Sequence, residues 1–433
     1  MDFSASLDYL YGLQRFGVKL GLQNMRELKA RLPLLRDPLP CVHVAGTNGK
    51  GSVSVLLAEM LRHSGLRVGL YTSPHLHCFT ERIRINGVPI GRNEIALCVE
   101  KIRQAAEDVP VTFFEATTAI ALLAFKEHQV DIAVIETGLG GRLDATNIIE
   151  PRLCLITPIS MDHNEHLGDS LASIATEKAG IIKPGVPVVI GKQDQAAVEV
   201  ILSAALENGA AVCLADRDFH WQGNHHDLSV AVEDSRLDGL TCALAGEHQL
   251  DNLAQAVAGA MQLRKQGFAI SDTAIRLAGE TAVWPGRLEW CGNSRQILLD
   301  VSHNLAGISC LANYLAEQQV RRIHLVTGLS GERDPVKILM PLAKFAAAVY
   351  AVPVAFGASV PTRQIVAWAE KQTLPVSEYV TAAEGFAAAL KNASHSEPVV
   401  VCGSLYLVAE LRQDLLVGEA AADYEAAGLF NCS

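Results

Sequence analysis

The chain has 433 residues, 49% of them apolar and 19% charged, with a formal net charge of −11. That length exceeds what one hydrophobic core organises and predicts two domains, and the composition is that of an ordinary globular protein. An acidic balance argues against a nucleic-acid partner, and no run nears the roughly 20 apolar residues that cross a bilayer, so no membrane partner is expected.

Residues 1–10 carry no basic stretch followed by an apolar one, so no signal peptide is expected and a cytoplasmic location is. Ten cysteines are scattered without a C-x-x-C pair and are expected as reduced, mostly buried thiols. Residues 40–45 read as a strand, followed by a Gly-rich turn and a helix over 51–64. Strands are predicted at 67–72, 131–135, 153–157 and 186–190, with a helix at 114–128 leading into the second of these. Trp284-Pro285-Gly286-Arg287 marks a boundary, after which strands at 296–300, 322–328, 347–352 and 398–402 alternate with helical patterns. The expected fold is α/β: a phosphate-loop ATPase domain with a mostly parallel sheet over 1–286, and a Rossmann-like α/β domain over 287–433.

The polar and Gly-rich signatures follow predicted strands, at 46–52, 72–75, 136–147, 160–163 and 300–304. Ligands of open α/β sheets bind outside the carboxyl ends of strands, so motifs distant in sequence can converge. Gly46-Thr47-Asn48-Gly49-Lys50-Gly51-Ser52 is a strand-to-helix turn suited to phosphate, with N–H groups, a Lys and a hydroxyl at one joint. It departs from the common phosphate loop: Val44 stands where the first Gly would fall, and Gly51 separates Lys50 from Ser52. The bland alternative is a tight turn with an exposed Lys. Glu136 ends a buried strand and precedes Gly138, Gly140 and Gly141, a setting for magnesium or for a solvated strand end.

His163 follows another strand and could ligate a metal or belong to a hydrogen-bonded turn. On a helix, Leu171, Ile174, Ala175 and Lys178 share one face, which places Lys178 among apolar residues. A neutral, desolvated amine can react with carbon dioxide to give a carbamate, an anionic oxygen ligand; the alternative is a snorkelling Lys bound to a carbonyl. Asp300-Val301-Ser302-His303-Asn304 offers an acid, an imidazole and an amide, or simply a capped turn. Asn252 precedes an Ala-rich helix and could lie near its N-cap.

Taken together these segments resemble the folylpolyglutamate synthase family, related to the Mur ligases. The resemblance runs from Gly46–Ser52 through Thr72-Ser73-Pro74-His75-Leu76, Thr80-Glu81-Arg82-Ile83-Arg84, Phe113-Phe114-Glu115, the run from Glu136 to Asn147, Asp162-His163, Glu177-Lys178-Ala179-Gly180-Ile181, Pro285-Gly286-Arg287 and Asp300–Asn304 to Cys402-Gly403-Ser404. It implies ATP held between two domains and glutamate joined to dihydropteroate or to reduced folates, or to folates alone. Nucleotide contacts are implied for Thr47, Asn48, Gly49, Lys50, Gly51, Ser52, Asn252, Arg287 and Asp300, and magnesium ligation for Ser73, Glu136 and His163. Lys178 is implied as the carbamylated lysine. The pterin side resembles Lys19, Leu20, Gly21 and Leu22, Thr112, Phe113, Phe114 and Glu115, and Leu143, Asp144 and Ala145.

The implied chemistry is an acyl phosphate formed on ATP and opened by the glutamate amine, with Lys50 on the phosphates and His303 toward the incoming glutamate. Asp144 could pair with a pterin ring or merely cap its own turn. A monomer is expected. A Mur-type ligase on a nucleotide-linked peptide and a nucleotide-dependent switch are the rival readings; little sequence precedes the phosphate loop to bind such a carrier, and a switch needs no second-substrate pocket.

Overall fold

The computed structural model describes residues 1–17, 21–292, 296–394 and 396–416. They divide into two compact units, the first Met1–Ala243 with Gln249–Val283, the second Leu244–His248 with the described residues from Trp284 onward. The short run Leu244–His248 thus groups with the second unit although it precedes the last helices of the first.

The first unit is built on an eight-stranded sheet: β1 (Cys41–Ala45), β2 (Val68–Tyr71), β3 (Ile83–Ile85), β4 (Val88–Pro89), β5 (Ile132–Glu136), β6 (Leu153–Ile156), β7 (Val188–Ile190) and β8 (Val212–Leu214). Their order is β4-β3-β2-β5-β1-β6-β7-β8. From β2 to β8 every pairing is parallel, and β3 and β4 add an antiparallel hairpin at one edge. The chain leaves β1 toward β2 on one side and reaches β6 on the other, so the carboxyl end of β1 is a topological switch point.

All five residues of β1 and all five of β5 are buried, as expected for parallel strands covered on both faces. One apolar cluster gathers Leu10, Met25, Leu28, Ile120, Phe125 and Ile135, and another gathers Ile156, Ile174, Ala175, Ile190 and Ile201. Burying a large aliphatic side chain contributes about 1.5–3 kcal/mol, so these clusters fix the sheet and with it the level of the strand ends.

A three-stranded antiparallel sheet, β9 (Phe219–Gly223), β10 (Leu228–Val232) and β11 (Ser235–Leu240), was not anticipated. Only β10 shows a clean alternation of buried and half-buried residues; β9 carries His220 and Gln222 and gives a weak strand signal.

The second unit holds β12 (Glu289–Cys291), β13 (Ile297–Leu299), β14 (Ile323–Thr327), β15 (Ala346–Ala351), β16 (Val376–Glu378) and β17 (Val399–Cys402), ordered β12-β13-β17-β14-β15-β16. All pairings are parallel except β12 with β13. Leu298, Leu325, Val349 and Val400 on the sheet pack with Ile308, Leu311, Leu315 and Trp368 from helices. Cys41, Cys98, Cys154, Cys213, Cys242 and Cys402 are free and buried. Among the described residues, no helix is long and apolar enough to cross a membrane.

Candidate active site

Register brings the motif-bearing strand ends of the first unit level. Val44 pairs with Glu136, Ala45 with Ile156 and Tyr71 with Ile135. Beyond Ala45 the chain turns at Gly46 (φ 149°), where a Cβ would lie 1.8 Å from Thr157 Oγ1 and 2.9 Å from the Thr157 carbonyl. No other residue fits there. The N–H groups of Thr47 and Asn48 both donate to the Pro158 carbonyl, at 3.0 and 3.1 Å. Thr47 Oγ1 donates to the Ser160 carbonyl at 3.1 Å, and Asn48 Nδ2 donates to Ser160 Oγ at 3.0 Å. The loop is therefore stapled to the residues after β6.

Gly49, left-handed at φ 84°, closes the turn against Asn252, whose Oδ1 would stand 2.5 Å from a Cβ. Asn252 itself is buried and donates to Gln249 Oε1 at 2.9 Å. The helix Lys50–His63 then starts without a side-chain cap at Gly49. A helix begins with unpaired N–H groups and positive potential, so an uncapped first turn at Lys50, Gly51 and Ser52 suits an anion. The amides of Thr47 and Asn48 thus hold the loop together. Lys50 Nζ donates to the Thr47 carbonyl at 3.2 Å.

Lys178 lies on the helix Leu171–Ala179, started by a Ser170 hydroxyl that accepts from Ser173 N. Ile174, Ala175 and Lys178 are buried, as the helical spacing predicts, while Glu177 turns aside to pair with Arg142 at 2.7 Å. Lys178 is 4% exposed and its Nζ donates to the Gly46 carbonyl at 2.7 Å. Burial, with Lys50 as a second cause, lowers its pKa to about 7. The neutral amine that this shift favours is the state that can take up carbon dioxide.

Glu136, also 4% exposed, accepts the Ser73 N–H at 3.1 Å, which places the start of the 73–82 loop at the end of β5. The turn beyond Glu136 is organised by Asp144. Its Oδ2 accepts from Gly138 N (3.0 Å) and Leu139 N (2.8 Å), and its Oδ1 from Thr146 N (2.9 Å) and Thr146 Oγ1. The turn-capping alternative is thus what Asp144 does; both oxygens are engaged by its own turn. Leu143 is half-buried beside it and Ala145 is buried. His163 has a left-handed backbone (φ 54°), and its side chain is 45% exposed with Nδ1 3.7 Å from Glu165.

Thr112 and Glu115 form a capping box: Glu115 N donates to Thr112 Oγ1 at 3.2 Å and Thr112 N to Glu115 Oε2 at 2.7 Å. Asn24 Nδ2 also donates to that carboxylate, at 3.1 Å. Phe113 stacks on Tyr11 at 5.6 Å, and Phe114 lies where a Cβ on Gly138 would go, 2.3 Å away. Gly21 and Leu22 precede the helix Gln23–Arg31, with Leu22 at its N-cap; Lys19 and Leu20 lie outside the described residues.

Residues that carry the resemblance but were given no role complete this region. Arg82 is 6% exposed, donates through Nε to His75 Nδ1 at 2.7 Å, and places its guanidinium 5.3 Å from the centre of the Phe113 ring. Burial and Arg82 push the His75 pKa down to about 3, so the ring is neutral. Glu81 gathers the N–H groups of Leu76, His77 and Cys78 at 2.8, 2.9 and 2.7 Å.

In the second unit, Asp300 is 4% exposed and accepts from Leu288 N at 2.9 Å, Ser302 N at 3.0 Å and Ser302 Oγ. His303 Nδ1 donates to the Val301 carbonyl at 2.9 Å, which sets the ring's tautomer. Asn304 caps the helix Leu305–Glu317, with Oδ1 accepting from Gly307 N at 2.9 Å. Arg287 is half-buried on the turn before β12.

The Mur ligase middle domain matches residues 44–260, and the Mur ligase glutamate ligase domain matches residues 286–405. The dihydrofolate synthase/folylpolyglutamate synthase of Bacillus subtilis (strain 168) is 35% identical over 422 residues, covering 94% of this chain and 97% of that one. The chain belongs to the dihydrofolate synthase/folylpolyglutamate synthase family. The Escherichia coli K12 protein of the same name is 32% identical, with 94% of each chain covered. Escherichia coli FolC, solved with DHPP and ADP, matches at a TM-score of 0.88 and 30% identity over 98% of this chain and 99% of that one. Mycobacterium tuberculosis folylpolyglutamate synthase, solved with ADP, matches at 0.88 and 29% identity over 96% and 99%.

Membership makes this an ATP-dependent ligase fold, and its residues can be tested against the nucleotide and magnesium it implies. Phosphate fits the uncapped helix start beside Lys50. Among the described residues, no three His, Cys, Asp or Glu side chains gather into a cage. Glu136, a buried oxygen donor beside Ser73, is of the right hardness.

Proposed function

We propose that this chain is an ATP- and magnesium-dependent ligase joining L-glutamate to dihydropteroate and to reduced folates. One observation carries the reading beyond family membership: an uncapped helix start at the switch point of the sheet, with a buried lysine directed at the same glycine-rich loop. An exposed anion-binding turn without a buried reactive group beside it would suit a nucleotide switch equally well; Lys178 favours chemistry.

The substrate carboxylate attacks the γ-phosphorus of ATP, ADP leaves, and an acyl phosphate forms. The glutamate amine attacks its carbonyl carbon, phosphate departs with the C–O bond electrons, and the nitrogen loses a proton to give the amide. The protein's part is positioning and charge neutralisation. The first-turn amides of the helix Lys50–His63 and the Lys50 ammonium hold the phosphates. Asn252 keeps Gly49 in place, and Arg287 and Asp300 are assigned to the nucleotide by resemblance. Ser73, Glu136 and His163 would hold magnesium, with Lys178 as its carbamate, and the ion would supply positive charge against a phosphoryl group when bound. His303 serves the glutamate half of the reaction. Gly21, Leu22, Thr112 to Glu115 and the turn around Asp144 take the pterin, with Lys19 and Leu20 assigned to it by resemblance alone. We place the enzyme in the cytoplasm as a monomer.

The deciding experiment is glutamate incorporation measured in parallel with dihydropteroate and tetrahydrofolate as acceptors. Turnover of both is expected. Turnover of tetrahydrofolate alone would reduce the activity to folylpolyglutamate synthesis, and ATP hydrolysis without incorporation into either would overturn the reading.

A further inference from the structure

His43, in the middle of β1, is fully buried. It shares a strand face with Cys41 and Ala45, which belong to two different apolar clusters, so its ring sits where those clusters part. A histidine there costs desolvation unless it makes a specific bond. Its Nε2 lies 2.8 Å from Thr146 Oγ1. That hydroxyl is within hydrogen-bond reach of Asp144 Oδ1, whose carboxylate also takes the N–H groups of Gly138, Leu139 and Thr146.

The directions of these bonds follow from counting protons. The Asp144 carboxylate faces four donors and has no place for a proton of its own, so the Thr146 hydroxyl gives its single hydrogen to Oδ1. Thr146 Oγ1 must then accept from His43, which fixes the Nε2–H tautomer. Nδ1 is left buried with no hydrogen-bond partner. A second proton on the ring would have nowhere to point, and burial lowers the pKa of His43 to about 3. The ring is a permanently neutral, one-way donor.

We propose that His43 is a positioning residue for the acceptor-binding turn: through Thr146 and Asp144 it orients the Gly138–Leu139 backbone from within the strand that carries the glycine-rich loop. The chain His43–Thr146–Asp144 ties the strand that leads to phosphate to the turn assigned above to the pterin, so one side chain sets the two at a fixed level. The kinetic part of this inference rests on the proposed acceptor reading; the structural part does not.

Three variants and two measurements test it. His43→Leu removes the donor, His43→Gln retains an N–H at the Nε2 position, and Thr146→Val removes the relay. Hydrogen exchange is followed over residues 137–144 and, as a control, over β1. His43→Leu is expected to speed exchange over 137–144 selectively, with His43→Gln restoring it. In kinetics, His43→Leu is expected to raise the acceptor KM about tenfold, the loss of one hydrogen bond, with the KM for ATP within about twofold of wild type. Added to Thr146→Val it should change neither quantity further. Uniformly faster exchange through β1, a His43→Gln protein no better than His43→Leu, or additive effects of His43→Leu and Thr146→Val would each overturn the proposal. A wild-type protein that turns over no pterin acceptor would remove the function reading instead, while the exchange measurement would still decide the role of His43.

Discussion

Two strand-end turns, one in each unit, both carry polar motifs and end differently. After β1, the turn Gly46–Gly49 is held by neighbouring backbone, and its helix begins without a side-chain cap. After β13, Asp300 gathers three donors and Asn304 caps the next helix, so the turn answers its own polar groups. The difference separates a helix end left without a side-chain cap, as an anion would need, from one that is capped by its own turn. The lesson is that strand-end motifs cannot be ranked by residue type alone. Asp300 and Asn304 hold their own turn and helix start, whatever else Asp300 does toward the nucleotide, whereas Lys50 leaves its helix start without a side-chain cap.

The strongest way to break the comparison is at Gly46. A Cβ there would stand 1.8 Å from Thr157 Oγ1 and 2.9 Å from a backbone carbonyl that cannot yield. Gly46→Ala is expected to abolish both nucleotide binding and ligation, checked by ADP titration and glutamate incorporation. A variant that still binds ADP normally would mean that the loop can reshape, and the contrast between an open, rigid turn and a closed one would fail.

Next comes Lys178. Lys178→Met should reduce ligation about 10²- to 10³-fold, the scale of losing one catalytic charge-stabilising group. It should also change the pH dependence of stability in carbon dioxide-free buffer. With the folded pKa near 7 against an ordinary 10.5, the unfolded chain binds more protons between those values. Wild-type stability therefore rises with pH across that window; below it the full cost of the buried charge is present. Lys178→Met carries no such charge, so its Tm advantage should shrink from about pH 6 to about pH 9. A constant gap would place Lys178 in a setting where its charge is tolerated.

Much of this was legible beforehand. The strands that were predicted ended within two residues of their expected positions, because their apolar runs are buried on both faces; the short edge strands β8 and β16 carried no prediction. The face of Lys178 followed from helical spacing. What could not be read was satisfaction. Nothing in the letters around Asp144 tells whether its oxygens face a ligand or four donors of its own turn. His43 reads as one polar residue inside a strand until Thr146, about a hundred positions away, is found beside it. The sheet β9–β11 was missed for a different reason: its outer strands mix polar and apolar residues without a period.

The two buried aspartates provide a matched pair that sharpens the contrast. Asp144→Ala and Asp300→Ala each leave several backbone donors without an acceptor, at a cost of about 2–4 kcal/mol in the unit concerned. Denaturant melts should show losses of similar size. Kinetics should separate them, with Asp144→Ala raising the KM for dihydropteroate well above any change in that for ATP, because its turn is the one assigned to the acceptor. Equal effects on both substrates would return Asp144 to a purely structural role.

The smallest expected effect concerns Asn304. Its Oδ1 accepts the Gly307 N–H at 2.9 Å, and its backbone is extended as an N-cap requires. Asn304→Ala should therefore cost about 1 kcal/mol in the stability of the second unit, with Asn304→Asp or Asn304→Ser keeping most of it. Ligation at a temperature well below unfolding should barely change, since a cap turned toward its own helix has little to offer a substrate. Lys50→Ala provides the counterpart in the first unit: stability close to wild type and ligation lost, because Lys50 bonds only a loop carbonyl in the described structure and is assigned to the phosphates. A denaturant melt and an incorporation assay on both variants measure the contrast directly. An Asn304→Ala protein with unchanged stability and abolished ligation would show that the amide serves substrate rather than helix, and the two strand-end turns would then have to be regarded as equals.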